Sequence, residues 1–224
     1  MKSLRPALKN LLLFLIALGI VLFASAGTLR FVAGWVYLAL LGVLSLAITI
    51  YLAIYDEALL QRRLKAGPAA EQQTSQKLIQ IAASLLLFAV LVIAGLDHRF
   101  HWSAMSRSAI VTADIVFALS FLLILVVFRA NTFTSGVIEV AEDQRVISTG
   151  PYAIVRHPMY TGGMLFLLAT PVALASWWGL IPAALLCVVV VVRLLDEERF
   201  LIKNLPGYAE YRHRVRWRLV PGVW

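Results

Sequence analysis

The chain has 224 residues, 61% of them hydrophobic and only 14% charged, with a formal net charge of +8 and a mean hydropathy of +0.86. A water-soluble domain of this size has no interior large enough for that much apolar surface, which excludes the soluble globular class and predicts an all-α integral membrane protein. The positive charge does not indicate nucleic acid: the Lys and Arg residues lie between apolar runs and near the C-terminus, where they face lipid headgroups and one aqueous compartment.

In chain order, Lys2, Arg5 and Lys9 precede a first apolar run at about Leu11–Ala26. Its end, Ala24-Ser25-Ala26, imitates a signal-peptide cleavage site, but a second run follows almost at once, so a retained first helix is expected. The second run, about Phe31–Tyr55, is entered through Gly34-Trp35 and closed by Asp56-Glu57. A polar loop, Gln61–Lys77, carries Arg62, Arg63 and Lys65. The third run is about Leu78–Leu96, and the loop Asp97–Arg107 leads to a fourth at about Ser108–Phe128. Several of these runs reach the length needed to cross a bilayer, about 20 residues. A long polar connection, Arg129–Arg156, separates them from a hairpin. Its arms are Met159–Thr170, broken by Pro171, and Ile181–Leu195, joined at Trp177-Trp178-Gly179. With about 15–18 residues each, the arms either cross with the Trp pair at the far interface or lie buried among the other helices. A polar, basic tail, Asp196–Trp224, follows.

The N-terminus, the loop Gln61–Lys77, the connection Arg129–Arg156 and the tail are rich in Lys and Arg, whereas Gly27–Gly34 and Asp97–Arg107 are not. By the positive-inside rule the basic connections and the tail are cytoplasmic, in the inner or plasma membrane if the chain is prokaryotic. Four transmembrane helices, a C-terminal helical hairpin and a cytoplasmic tail are therefore expected. Cys187, within an apolar run, reads as a small hydrophobe, and the four His residues lack partners at zinc-ligand spacing, so no metal is expected.

Two polar clusters flank the hairpin and must come together at one membrane face. In the first, Val155-Arg156-His157-Pro158-Met159-Tyr160, Pro158 holds His157 extended and starts the next helix. The helix N-terminus, with Gly162 and Gly163 close behind, would accept a compact ligand with an aromatic base and a charged end. In the second, Arg193…Asp196-Glu197-Glu198, three adjacent carboxylates point about 100° apart around a helix, so at least one faces protein, and Arg193 shares a face with Asp196. Interfacial anchoring alone would also use Arg, His, Tyr and acidic residues in such places.

The pattern Gly150-Pro151-Tyr152…Arg156-His157-Pro158-Met159-Tyr160-Thr161-Gly162, a hairpin, Arg193…Glu197-Glu198, then Gly207-Tyr208…Tyr211…Val215…Arg218…Pro221 resembles the isoprenylcysteine carboxyl methyltransferase family and is similar to the related phospholipid N-methyltransferases. Asn131-Thr132-Phe133 and Val146-Ile147-Ser148-Thr149 fit the same pattern. The resemblance covers roughly the C-terminal 95 residues and divides the chain into membrane helices that shape an acceptor region, 1–128, and a cofactor-binding catalytic region, 129–224. It implies methyl transfer from S-adenosylmethionine at the cytoplasmic face. It further implies His157, Tyr160, Gly162 and Glu197 as cofactor residues, Tyr152 and Arg156 as helpers, and Arg193 and Glu198 as a catalytic or orienting pair.

Methyl transfer from a sulfonium is an in-line displacement, which asks the protein to position and desolvate two reactants. Arg193 leans toward an acidic acceptor, while Glu198 or His157 would serve an acceptor that must lose a proton. Helices opening to lipid predict a membrane-lipid environment and an apolar or amphipathic acceptor, with Asp114 a candidate lining residue. Two other readings stand beside this one. The tail Gly207-Tyr208…Pro221 alone also fits NADPH-dependent sterol and lipid reductases, from which Arg156–Tyr160 and Glu197-Glu198 discriminate. A non-enzymatic scaffold or transporter would use the charged clusters only to fix topology.

Overall fold

A computed structural model describes residues 3–71, 73–141 and 143–224; Lys2, one of the N-terminal charges noted above, lies outside them. The described residues form eight α-helices and no strand: α1 (Leu4–Ala26), α2 (Val32–Tyr55), α3 (Glu57–Leu64), α4 (Thr74–Phe100), α5 (Arg107–Ala130), α6 (Pro158–Ala173), α7 (Leu180–Asn204) and α8 (Tyr208–Arg214), with a 3-10 turn at Gly150–Ala153. Four of them, α1, α2, α4 and α5, are long and apolar enough to cross a membrane.

Local chemistry places the helix boundaries. Asp56 breaks the run of α2 and its carboxylate accepts the Leu59 N–H at 2.9 Å, capping α3 inside what the sequence presents as a polar loop. Ser106 caps α5 in the same way through Ala109 N–H at 3.2 Å. Pro158 opens α6 at its first position, where a missing N–H costs nothing. The hairpin differs from the expectation of two matched arms: α6 has 16 residues and α7 has 25. The return arm does not stop at Leu195, because the polar residues beyond it find protein partners on three sides and the helix runs on to Asn204.

The core lies where α1, α2, α4, α5 and α6 meet, around Leu22, Tyr37, Leu91 and Phe117, all buried. Gly95 lets α4 cross α1 closely: a Cβ there would stand 2.6 Å from Ser25 Cβ and 2.7 Å from Leu22 O. Outward faces carry exposed Leu12, Ile20, Val43, Leu85 and Leu122, a belt that suits lipid rather than water. Trp35, Trp102, Trp177 and Trp178 are exposed at the end holding the α1–α2, α4–α5 and α6–α7 connections, as interfacial aromatics. At that end Asp97 accepts from Ser103 and Ser176, tying the α4–α5 loop to the hairpin turn.

The opposite end gathers every basic connection. Arg62 and Arg63 of α3 donate to the carbonyls of Thr132 and Ser135, and Arg193 of α7 pairs with Glu71 at 2.8 Å. A small separate core, Leu205, Tyr208 and Tyr211 packed with Val140, Val146 and Val215, closes this end over the long apolar helices.

Candidate active site

A cavity of about 490 Å³ opens between the connection 131–149, α6, α7 and α8, within the size range of small-molecule sites. Helical periodicity builds two of its walls. Val190, Arg193, Glu197 and Leu201 recur at three- and four-residue spacing and line it from α7. Tyr160, Gly163 and Leu167 do the same from α6. The lining combines apolar side chains, Ile124, Met159, Leu167 and Val190 among them, with polar residues of the long connection such as Asn131, Ser135 and Gln144.

The Glu197 carboxylate accepts the Tyr160 hydroxyl at 2.5 Å, linking the two walls. No cation stands within ion-pair distance of Glu197 or of the cavity-lining Glu139 among the described residues. Arg193, one turn before Glu197, is held on three sides. It pairs with Glu71, donates to Gln76 Oε1 at 2.8 Å and donates to Gly136 O at 3.2 Å. Gln76 also donates to Asp196, so the shared face of Arg193 and Asp196 meets one amide of α4.

Glu198 points away from the cavity. It is buried, taking Arg156 Nε on one oxygen at 2.7 Å and Arg218 Nε on the other at 3.0 Å, with His157 Nε2 at 3.5 Å. Burial pushes its carboxyl up, but hydrogen bonds from His157, Arg218 and Arg156 outweigh that and hold it at about 2. Arg156 spends its other donors on the carbonyls of Val215 and Arg216, both at 2.8 Å. The Arg156 and His157 backbone N–H groups donate to Trp217 and Arg218 carbonyls at 2.9 Å. The tail is thereby stitched to the start of α6, and His157 is left buried with its ring beside the Tyr208 hydroxyl, 3.4 Å away.

Tyr152 lines the cavity from the 3-10 turn; burial pushes its phenol up to about 12 although Asn131 donates to its oxygen. Burial and the negative charges of Glu198 and Glu197 also push Tyr208 up. Gly162 faces α5 instead of the cavity: a Cβ there would meet Ile124 Cγ1 at 3.0 Å and Ser120 O at 3.4 Å, so its lack of a side chain sets how closely Ile124 approaches.

The structure thus brings Tyr152, Arg156, His157, Tyr160, Arg193 and Glu197 to one cavity and places Gly162 and Glu198 behind its walls. It does not bring Arg193 and Glu198 together: they leave α7 on different faces and hold different partners. Asp114 is not at the cavity; it lies toward the far end of α5, with one carboxylate oxygen buried and unpartnered. Sequence reasoning missed Arg63, Glu71 and Gln76 as site neighbours, since nothing in the 61–77 segment says which of its polar residues meet α7.

Residues 108–206 match the family model described as phospholipid methyltransferase, a family related to the isoprenylcysteine carboxyl methyltransferases. The matched stretch contains both Arg156–Tyr160 and Glu197-Glu198, and it ends before the Gly207–Pro221 tail that reductases share. No curated protein matches the chain. The family match and the four apolar helices together support an integral-membrane methyltransferase.

Proposed function

We propose that this chain is an S-adenosylmethionine-dependent membrane methyltransferase whose donor site is the cavity between the 131–149 connection and the α6–α7 hairpin, at the cytoplasmic face. The observation that carries this reading is Glu197: a carboxylate turned into a cavity, accepting one hydrogen bond from Tyr160, with no cationic partner among the described residues. A half-buried carboxylate of this kind, facing a cavity without a cationic partner, favours a cationic ligand.

The residues present fit such a donor. Glu197 and Glu139 offer negative charge to ammonium and sulfonium groups, Phe133, Tyr152 and Tyr208 offer ring faces to an aromatic base, and exposed Arg145 offers a cation at the polar end. The chemistry S-adenosylmethionine supplies when bound is an electrophilic methyl group. The protein's part is to hold, orient and dry the reactants. Tyr160 fixes the Glu197 carboxylate. Arg193 is a positioning residue: by holding Glu71, Gln76 and the Gly136 carbonyl it anchors α4 and the connection against α7. Arg156, Glu198 and Arg218 hold the tail in place as the far wall. The apolar lining residues Ile124, Met159, Leu167 and Val190 suit the tail of an amphipathic acceptor.

Calorimetry with S-adenosylmethionine and S-adenosylhomocysteine on detergent-purified protein tests this. Micromolar-range binding, lost in Glu197→Ala and weakened in His157→Ala, is expected. A folded wild type that binds neither compound, with or without added lipid, would contradict it.

A further inference from the structure

The spacing of the tail gives it an inner and an outer face. Tyr208, Tyr211 and Val215 recur at three- and four-residue steps and pack into the small core at this end, which leaves Arg212 and Arg214 of α8 exposed. Beyond α8 the backbone carbonyls are taken one after another. Arg156 holds those of Val215 and Arg216, and the Arg156 and His157 N–H groups hold those of Trp217 and Arg218. The Thr161 hydroxyl donates to Leu219 O at 2.9 Å. Arg218 turns to Glu198 and Leu219 is buried, whereas Arg216, Trp217, Val220 and Val223 are exposed. The outward side chains are thus presented by a backbone that is already ordered, which lowers the entropy cost of any contact they make.

Charge and depth decide what this outer face meets. Residues 208–224 hold four arginines and a single acidic residue, Glu210. Of the four, Arg218 is ion-paired, and no carboxylate stands within ion-pair distance of Arg212, Arg214 or Arg216 among the described residues. Charge alone would suit any acidic surface. The apolar neighbours favour a bilayer: Trp217, Val220 and Val223 are exposed on the same strap, and so is Ile154, two residues before the Arg156 N–H that holds Trp217. Depth agrees with composition. Thr161, which holds Leu219, lies in the first turn of α6, and Leu165, one turn or about 6 Å further along, is an exposed apolar side chain that suits lipid. Unpaired arginines with aromatic and aliphatic neighbours at that depth match the headgroup layer.

We propose that residues 212–223 form a docking strap for anionic phospholipids of the leaflet at the basic end, with Arg212, Arg214 and Arg216 on the headgroup charges and Trp217, Val220 and Val223 among the upper acyl segments. The surface is separate from the cavity and stands whether or not the cavity binds a methyl donor. Because Arg156 and His157 hold the strap from the cavity side, the tail is gripped between the protein and the leaflet.

The test uses the full-length protein in nanodiscs of phosphatidylcholine with a minority of phosphatidylglycerol, one lipid or the other carrying bromine on its acyl chains as a fluorescence quencher. The signal is the emission of Trp217, taken as wild type minus Trp217→Phe. At equal mole fraction, brominated phosphatidylglycerol is expected to quench as though enriched beside Trp217 at least about fivefold over brominated phosphatidylcholine, the effect of one arginine at an anionic surface. The enrichment should fade between about 0.1 M and about 1 M salt, as the screening length shrinks from about 10 Å to about 3 Å. Arg212→Gln/Arg214→Gln/Arg216→Gln is expected to abolish it, and Arg30→Gln/Arg99→Gln, exposed arginines of the opposite end, to leave it unchanged. Melting curves establish that each variant is folded, and the salt titration of wild type carries the test if the triple variant is not. Trp217 that neither lipid quenches would overturn the proposal, since the strap would then stand in water and await a soluble acidic partner. Equal quenching by the two lipids, or an enrichment that survives high salt or the folded triple variant, would overturn it as well.

Discussion

Glu197 and Glu198 are neighbours on α7 and do opposite work: Glu197 faces the cavity with a single hydrogen bond from Tyr160, and Glu198 is buried behind it under Arg156 and Arg218. About 100° of helix rotation separates the cavity-facing carboxylate from the buried one. Each variant of the pair therefore has its own consequence.

Glu197→Gln keeps the shape and an acceptor for Tyr160 but removes the charge. Its expected effect is a loss of about tenfold or more in S-adenosylhomocysteine affinity with an unchanged melting temperature. Tyr160→Phe, which frees the carboxylate without discharging it, should cost less. Calorimetry and melting on the same preparations check both.

Glu198→Gln leaves two guanidinium groups around a neutral amide. Breaking a buried ion pair from one side costs about 3–5 kcal/mol, so the variant should melt well below wild type, and its folded fraction should still bind S-adenosylhomocysteine. The same contact predicts a pH dependence. Its folded value of about 2 lies below the ordinary 4.5, so the contribution is fully present above about pH 4.5 and fades as pH falls toward 2. The stability gap between wild type and Glu198→Gln should narrow over that window; a constant gap would show that the charge of Glu198 is not what stabilises.

Arg193→Ala and Glu71→Ala remove the same contact from opposite ends. Their effects on turnover should be non-additive, with a coupling of about 0.5–3 kcal/mol in a double-mutant cycle, while donor affinity stays close to wild type. Independent effects would mean that the pair does not act as one support.

Gly162→Ala places a methyl group 3.0 Å from Ile124 Cγ1. Parting α5 from α6 should cost about 1–3 kcal/mol of stability and perturb the cavity wall that Ile124 forms, which melting and ligand binding would register together.

Much of this was legible in the sequence because period and composition act locally. The four apolar runs become α1, α2, α4 and α5, and Pro158 starts α6 where its chemistry requires. The two polar clusters meet because a hairpin leaves them no alternative. What sequence could not give was facing. Asp196, Glu197 and Glu198 look equivalent in a line of text, and only the packing of α7 against α4 on one side and the tail on another sends each to a different partner. Gly162 reads as a ligand-approach glycine but serves a helix contact. The segment 61–77 reads as a basic loop, yet Asp56 caps a helix in it that delivers Arg63 to the cavity, a placement made by tertiary contacts with Phe128 and Ser135.

The most direct test of the donor site is a structure of the protein with S-adenosylhomocysteine. Density for the ligand against Glu197, Tyr152 and His157, beneath the 131–149 connection, is the predicted result. Density elsewhere, for example in the apolar groove between α1 and α2, with this cavity empty at saturating ligand, would contradict it.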